Sequence, residues 1–333
     1  MVYLIKIFLV FIILTKQLNA EERIKIIGSS TIFPFMNNIA EEFSENTDYP
    51  TPIIESVGTG GGFKLFCSKR NKKINIANAS RLITDAELKY CQKNGYNDLY
   101  QFKLGYDGVV LANMNTSPQY SFTSYELFLA LSEYVPVKGK IIKNPYEYWD
   151  EINDKFPHKK IKIYGPATSS GTRDVIIEKI IRPYCLYNDL FVNKFPDLKN
   201  RENKCSLIRS DKAYVNMAEN DNLIVHKLIQ NPDSLGFFGY YFLYNNEELL
   251  QASKINEIEP FYENIKSKAY ILSRPLYIYM KDKDWRKNKI LAKFIKFLSS
   301  KEAIGNNGFL SEKGFIPLKD EEFGYNDIYH LKN

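Results

Sequence analysis

Histidine is scarce in this 333-residue chain: His158, His226 and His330 are scattered, and none stands in a loop with a candidate nucleophile. A general base has to reach the group it deprotonates, so all three read as surface or structural residues, against Ser-His or Cys-His catalysis. Other enzyme templates are missing too. There is no GxSxG elbow, "GPATSSGT" lacks the Gly-Lys-Ser/Thr of a P-loop, and "GTGGGFK" has the wrong spacing for GxGxxG. No CxxC or HxxxH spacing offers zinc a site. No block of like charges resembles a nucleic-acid arm, and the aromatics form no single-strand stacking motif. Beyond residue 20, no apolar run approaches the ~20 residues that span a bilayer. Fixed-period repeats and low-complexity linkers are absent as well.

What the chain does contain begins with MVYLIKIFLVFIILTKQLNA, an early lysine, an unbroken apolar run from Ile7 to Leu14, and Ala20 just before Glu21. This is the pattern of a cleaved secretory signal peptide, residues 1–20; an uncleaved anchor is the alternative, disfavoured by the short run. What remains suffices for about two domains. The formal charge is +6, and loss of Lys6 and Lys16 with the leader brings it near +4, a mild and dispersed balance that suits a soluble anionic partner. Cys67, Cys91, Cys185 and Cys205 all lie in the exported part. An even count in an oxidising compartment predicts two disulfides, and of the three connectivities the spacings favour sequential pairing.

Short apolar strands alternate with amphipathic helices: IKIIG then FMNNIAEEF, PIIESVG then GGFKLFC, INIANAS then TDAELKYCQ. A second series starts near residue 120 and a third, short one ends the chain. This alternation predicts an α/β fold of βαβ units on mainly parallel sheets. In the last segment, Ile290, Leu291, Phe294, Ile295, Phe297 and Leu298 share one helical face. Without a flexible linker, two lobes require chain crossings, expected near residues 110–115 and 265–272.

Three segments share one design, in which a strand ends, small residues turn the chain, and a helix begins: "GSSTIFPF", "VGTGGGFK" and "TSSGTRD". The first amides of a helix lack intrahelical partners and sit at the positive end of its dipole, so anions bind there. Each segment alone is an ordinary helix cap. Together they point to one crevice, because loops at the carboxyl ends of neighbouring strands converge in open α/β sheets. Ser170, Gly171 and Thr172 are thus expected at the tip of an anion-gripping helix. Arg173 and Arg81 offer planar forks of donors suited to a tetrahedral oxyanion. Asp107, in "GYDGVV", is expected to balance an arginine or to accept a proton from the anion; a plain turn role is the alternative.

On "GSSTIFPF", "GTGGGFKLFC", "NIANASR", "GYDGVV", "YGPATSSGTRD" and "SLGFFGY", present in this order, the sequence resembles the PstS-type phosphate-binding proteins of phosphate ABC transporters, a branch of the type II periplasmic binding proteins. The resemblance implies a two-lobe venus flytrap with two hinge crossings: residues 21–112 and 269–333 forming one lobe, 113–268 the other. It implies a monomeric periplasmic receptor, without metal or organic cofactor, that captures inorganic phosphate and delivers it to a membrane permease. It also implies contacts from Ser30, Thr31 and the Ile32 amide, from Thr59 and the Gly60 amide, and from Ser170, Gly171, Thr172 and Arg173. Many family members carry an aspartate where this chain has Arg81, which leaves Asp107 as the candidate proton acceptor. Another tetrahedral oxyanion such as sulfate is the alternative ligand, and a secreted phosphatase the alternative class.

Overall fold

The computed structural model describes residues 23–217, 220–281, 288–322 and 329–331; the signal peptide assigned to residues 1–20 lies outside them, as does the side chain of His330. Ten strands form one sheet. In chain order they are β1 (Lys25–Gly28), β2 (Ile53–Ser56), β3 (Ile76–Ala79), β4 (Leu99–Met114), β5 (Ile163–Gly165), β6 (Tyr214–Asn216), β7 (Leu235–Gly239), β8 (Leu250–Ala252), β9 (Ser273–Lys281) and β10 (Tyr329–Leu331). Their spatial order is β2-β1-β3-β9-β4-β7-β5-β6, with β8 and β10 also on β4.

The outer ladders, β2-β1-β3 and β7-β5-β6, are parallel, as the βαβ reading requires. At the centre, β9 and β4 run antiparallel to each other and to their neighbours. β4 runs through both halves of the sheet, and β9 lies wholly in the first half, running the opposite way. β4 pairs with β9 from Leu99 to Gly108 and with β7 from Val109 to Ala112, so it changes partner between Gly108 and Val109. The return lies beside it, where the Val109 amide donates to the Leu272 carbonyl at 3.0 Å.

Alternation builds the cores. Ile26, Ile76 and Ile278 point to one face of the first half, against Phe35, Met36, Ile39 and Phe43 of α1 (Phe33–Glu45). Their neighbours Ile27, Ala77 and Tyr279 point to the other, against Phe63 and Phe66 of α2 (Thr59–Phe66). In the second half, Val109, Leu111, Ile163 and Phe237 face one way and Val110, Ala112, Tyr164 and Phe238 the other. A strand period of two explains this split, because successive side chains leave opposite faces. The late helix, Lys289–Leu298, is capped by Asn288 and buries Leu291, Phe294, Ile295 and Leu298, four of the six residues placed on its apolar face; Ile290 and Phe297 pack at its rim.

The cysteines pair as expected, Cys67 with Cys91 and Cys185 with Cys205, with Cα separations of 4.7 and 5.6 Å. Each closes a short loop, of 24 and 20 residues, for about 3 kcal/mol on the chain-entropy account. Replacing both members of either pair by serine should lower the urea midpoint, with a rise in the m-value as the uncrosslinked denatured chain expands.

Near the crossing, Glu322 accepts from the Tyr106 hydroxyl at 2.6 and 2.7 Å and from Lys103 Nζ at 2.9 Å. Burial pushes this carboxyl upward, but the two donors outweigh it and hold it at about 2. A depressed carboxyl contributes stability above its ordinary value of 4.5 and loses it as the pH falls toward about 2. The melting temperature of Glu322→Gln should therefore lie below wild type at neutral pH, with the gap narrowing through this window. A gap that stays constant down to about pH 2 would exclude the linkage.

Candidate anion-binding site

β1 and β3 end at the same edge of the sheet, and β9 begins there. At that end Gly28 adopts φ +145°, and a Cβ on it would stand 2.0 Å from the Asn78 carbonyl oxygen, so the turn after β1 admits only glycine. Ser30, Thr31 and Ile32 follow, all buried, and α1 starts at Phe33 with Pro34 in its first turn. The start of α2 lies alongside. Thr59, fully buried, accepts from the Ser80 amide at 3.2 Å, and its hydroxyl lies 3.2 Å from that of Ser80.

From the other half comes α3 (Gly171–Ile176), whose cap is Ser170, its Oγ accepting from the Thr172 amide at 3.2 Å. A Cβ on Gly171 would stand 2.2 Å from Ser80 Oγ and 2.9 Å from Thr59 Oγ1. Two helix starts more than a hundred positions apart in the chain therefore meet face to face, the bare Gly171 backbone against the hydroxyls of Ser80 and Thr59. Capping does not consume Ser170, since a hydroxyl that accepts one bond still has a proton to donate.

Beneath them, Asp107 accepts through Oδ2 from Arg274 Nε at 2.9 Å and Nη2 at 2.7 Å, and through Oδ1 from the Tyr240 amide at 3.1 Å. Arg274 Nη2 also donates to Thr31 Oγ1 at 2.7 Å. Both side chains are 2% exposed. Burial holds the Asp107 carboxyl above its ordinary range, with Arg274 pulling against it. Among the buried atoms without a hydrogen-bond partner are Arg274 Nη1, Thr172 Oγ1 and, beside Gly28, Asn78 Oδ1. A buried charged donor without an acceptor is costly, and an anion is its natural complement.

The other two arginines are placed differently. Arg173 Nη1 donates to Asn216 Oδ1 at 2.6 Å, and its guanidinium stands 5.6 Å from the centre of the Tyr214 ring. Arg81 forms a two-pronged contact with Glu87, Nη1 to Oε2 at 2.8 Å and Nη2 to Oε1 at 2.9 Å, while its Nε donates to Asp174 Oδ2 at 2.7 Å. Its Nη1 reaches the Leu82 carbonyl as well. Of the expected residues, Thr59, Ser170, Gly171 and Thr172 stand at the meeting of the helix starts, Gly60 lies at its rim beside Arg81 and the Ser169 carbonyl, and Ser30, Thr31 and Ile32 are buried in the turn before α1, tied to Arg274 through Thr31. Asp107 takes the arginine-balancing role, but its partner is Arg274, which the motifs did not contain. Ser80 was missed as well; its only signal was its place at the end of the strand-like "NIANAS".

His158 is exposed, with Nδ1 2.9 Å from Asp150 Oδ2 and its ring stacked on Tyr148, and His226 is exposed on the helix Asp221–Gln230. Neither belongs to the site, in line with the sequence reading.

Residues 15–302 match the profile of the PBP superfamily domain. The chain belongs to this family. It is 28% identical over 298 residues to Protein SphX of Synechococcus elongatus, covering 87% of this chain and 76% of that protein. It is 29% identical over 310 residues to the phosphate-binding protein PstS of Staphylococcus aureus strain MRSA252, covering 92% and 81%. Among solved structures, a possible phosphate binding protein from Planctomyces limnophilus superposes with a TM-score of 0.57 at 28% identity, covering 90% of this chain and 94% of that one. An ABC-type phosphate transport receptor from Vibrio cholerae, at 20% identity, shares the fold with a TM-score of 0.58 over 88% and 99%. The mixed α/β sheet flanked by helices is the type II periplasmic binding protein architecture.

Arg274→Ala should cost about 3 to 5 kcal/mol of folding stability, because it strands the Asp107 charge in the interior. The double variant Arg274→Met with Asp107→Asn should recover much of that loss. Urea unfolding of the three proteins measures it; a single variant no less stable than the double one would contradict the account.

Proposed function

We propose that this chain is an exported, non-enzymatic receptor that takes up inorganic phosphate between two lobes and passes it to the permease of an ABC transporter. The observation that carries the reading is the buried Nη1 of Arg274, a charged donor without a protein partner on a side chain already tied to Thr31 in the turn before α1. The relatives named for phosphate binding support the choice of ligand. Residues 21–112 and 269–333 make one lobe and 113–268 the other, with β4 and β9 as the hinge. Ser30, Thr31, the Ile32 amide, Thr59, the Gly60 amide, Asp107 and Arg274 hold the anion from the first lobe and the hinge; Ser170, Gly171, Thr172 and the remaining donors of Arg173 hold it from the second. Arg81 contributes at most the one N-H that its two carboxylate partners and the Leu82 carbonyl leave.

Charge in this region is close to balanced, since Arg81, Arg173 and Arg274 stand with Glu87, Asp107 and Asp174. An anion is then held by helix amides and hydroxyls rather than by net positive charge. A buried carboxylate also selects the ligand. Phosphate still carries a proton to donate at neutral pH, whereas sulfate does not and is repelled.

Calorimetry on protein stripped of ligand by partial unfolding should show tight binding of phosphate and weak or no binding of sulfate. The stability gained should be about 2.7 kcal/mol at a hundred times the dissociation constant. Scattering should show compaction on adding phosphate, as expected for a ligand that touches both lobes. Preference for sulfate would replace the ligand, turnover of a chromogenic phosphate ester would replace the class, and an unchanged radius of gyration would remove the flytrap.

A further inference from the structure

We infer that Arg81 and Asp174 form an ionic latch that biases the protein toward its closed form before any ligand binds, which makes Asp174 a positioning residue for the anion site. The proposal rests on the phosphate-receptor reading for its consequence in binding, though not for its geometry. Arg81 follows β3 in the first half of the sheet and Asp174 belongs to α3 in the second, and their 2.7 Å contact spans 93 positions.

The first-half side of this contact is fixed in advance. Glu87 accepts both terminal nitrogens of Arg81, and its Oε2 also accepts from the Thr84 amide and hydroxyl, each at 2.9 Å. Those last bonds are half of a capping box at the start of the helix Asp85–Lys93. One helix cap thus orients the guanidinium, whose Nε is left aimed across the interface. The opposite side is free to move, since the Asp174 side chain is 40% exposed and can return to water when the halves part. Asp174 sits one turn into the helix opened by Ser170, Gly171 and Thr172, so pulling on it seats those residues over Thr59 and Ser80. Three of the Arg81 nitrogens are engaged by carboxylates, which gives this arginine a closing role in place of the ligand-binding one expected from sequence.

The apparent affinity of a receptor scales with the fraction already in the binding-competent form. Loss of the latch should therefore weaken binding even though Asp174 bears a charge of the same sign as the ligand. Simple electrostatics predicts the reverse, that removing a carboxylate near an anion site tightens binding, and so the sign of the effect separates the two.

The test is Asp174→Asn, with Asp174→Glu as the variant that keeps the charge. Scattering on ligand-free protein should give a larger radius of gyration for Asp174→Asn than for wild type, with Asp174→Glu close to wild type. Inorganic phosphate should bind Asp174→Asn about two- to fivefold more weakly by calorimetry, the range expected for one partly exposed ion pair. An unchanged ligand-free radius of gyration, or tighter phosphate binding, overturns the latch. If wild type itself fails to bind phosphate, the functional reading fails, and the ligand-free scattering still decides the latch.

Discussion

The ion pair between Asp107 and Arg274 is the contact on which the rest of the site depends. It joins β4 to β9 next to the point where β4 changes partner, and it is closed to solvent on both sides. From this pair, Arg274 reaches Thr31 in the loop after β1, and Asp107 reaches the amide of Tyr240 after β7. A loop from each half of the sheet is therefore fixed to the same two side chains. Desolvating two charges is expensive, and mutual attraction compensates only when hydrogen bonds satisfy the remaining atoms. Here one nitrogen is left over, and it is the nitrogen that an anion would satisfy.

That incomplete satisfaction fits the surroundings. Gly28 and Gly171 remove side chains where backbones must approach, and Ser170 and Thr31 accept bonds from the protein while keeping their hydroxyl protons to donate. A site built from oriented amides and hydroxyls needs little rearrangement on ligand arrival. The same small residues allow the halves to touch directly, Gly171 against Ser80, which a larger side chain would prop apart.

Much of this was legible in the sequence because it is written locally. Strand and helix alternation follows from periodicity within windows of a few residues, and the anion-binding turns announce themselves through Gly, Ser and Thr at helix starts. The cysteine pairs followed from short spacings. Less legible were the partners of charged side chains. Nothing local named the protein partners of Arg81 and Arg173: Arg81 is held by Glu87 six positions on and by Asp174 from the other half, and Arg173 donates to Asn216 and stands over Tyr214. Arg274 stood in "YILSRPLYIYM", a segment that reads only as a strand before a helix.

Sequence alone determined the elements, the helix starts able to hold an anion, and the alternating faces that build the cores, since each of these depends on neighbours within one turn or one strand. Only the tertiary structure decided which arginine stands with Asp107, because that choice is made by the antiparallel register of β9 on β4, which sets Arg274 opposite Asp107 across 167 positions of chain. Register is a property of two strands together, and no stretch of either one contains it.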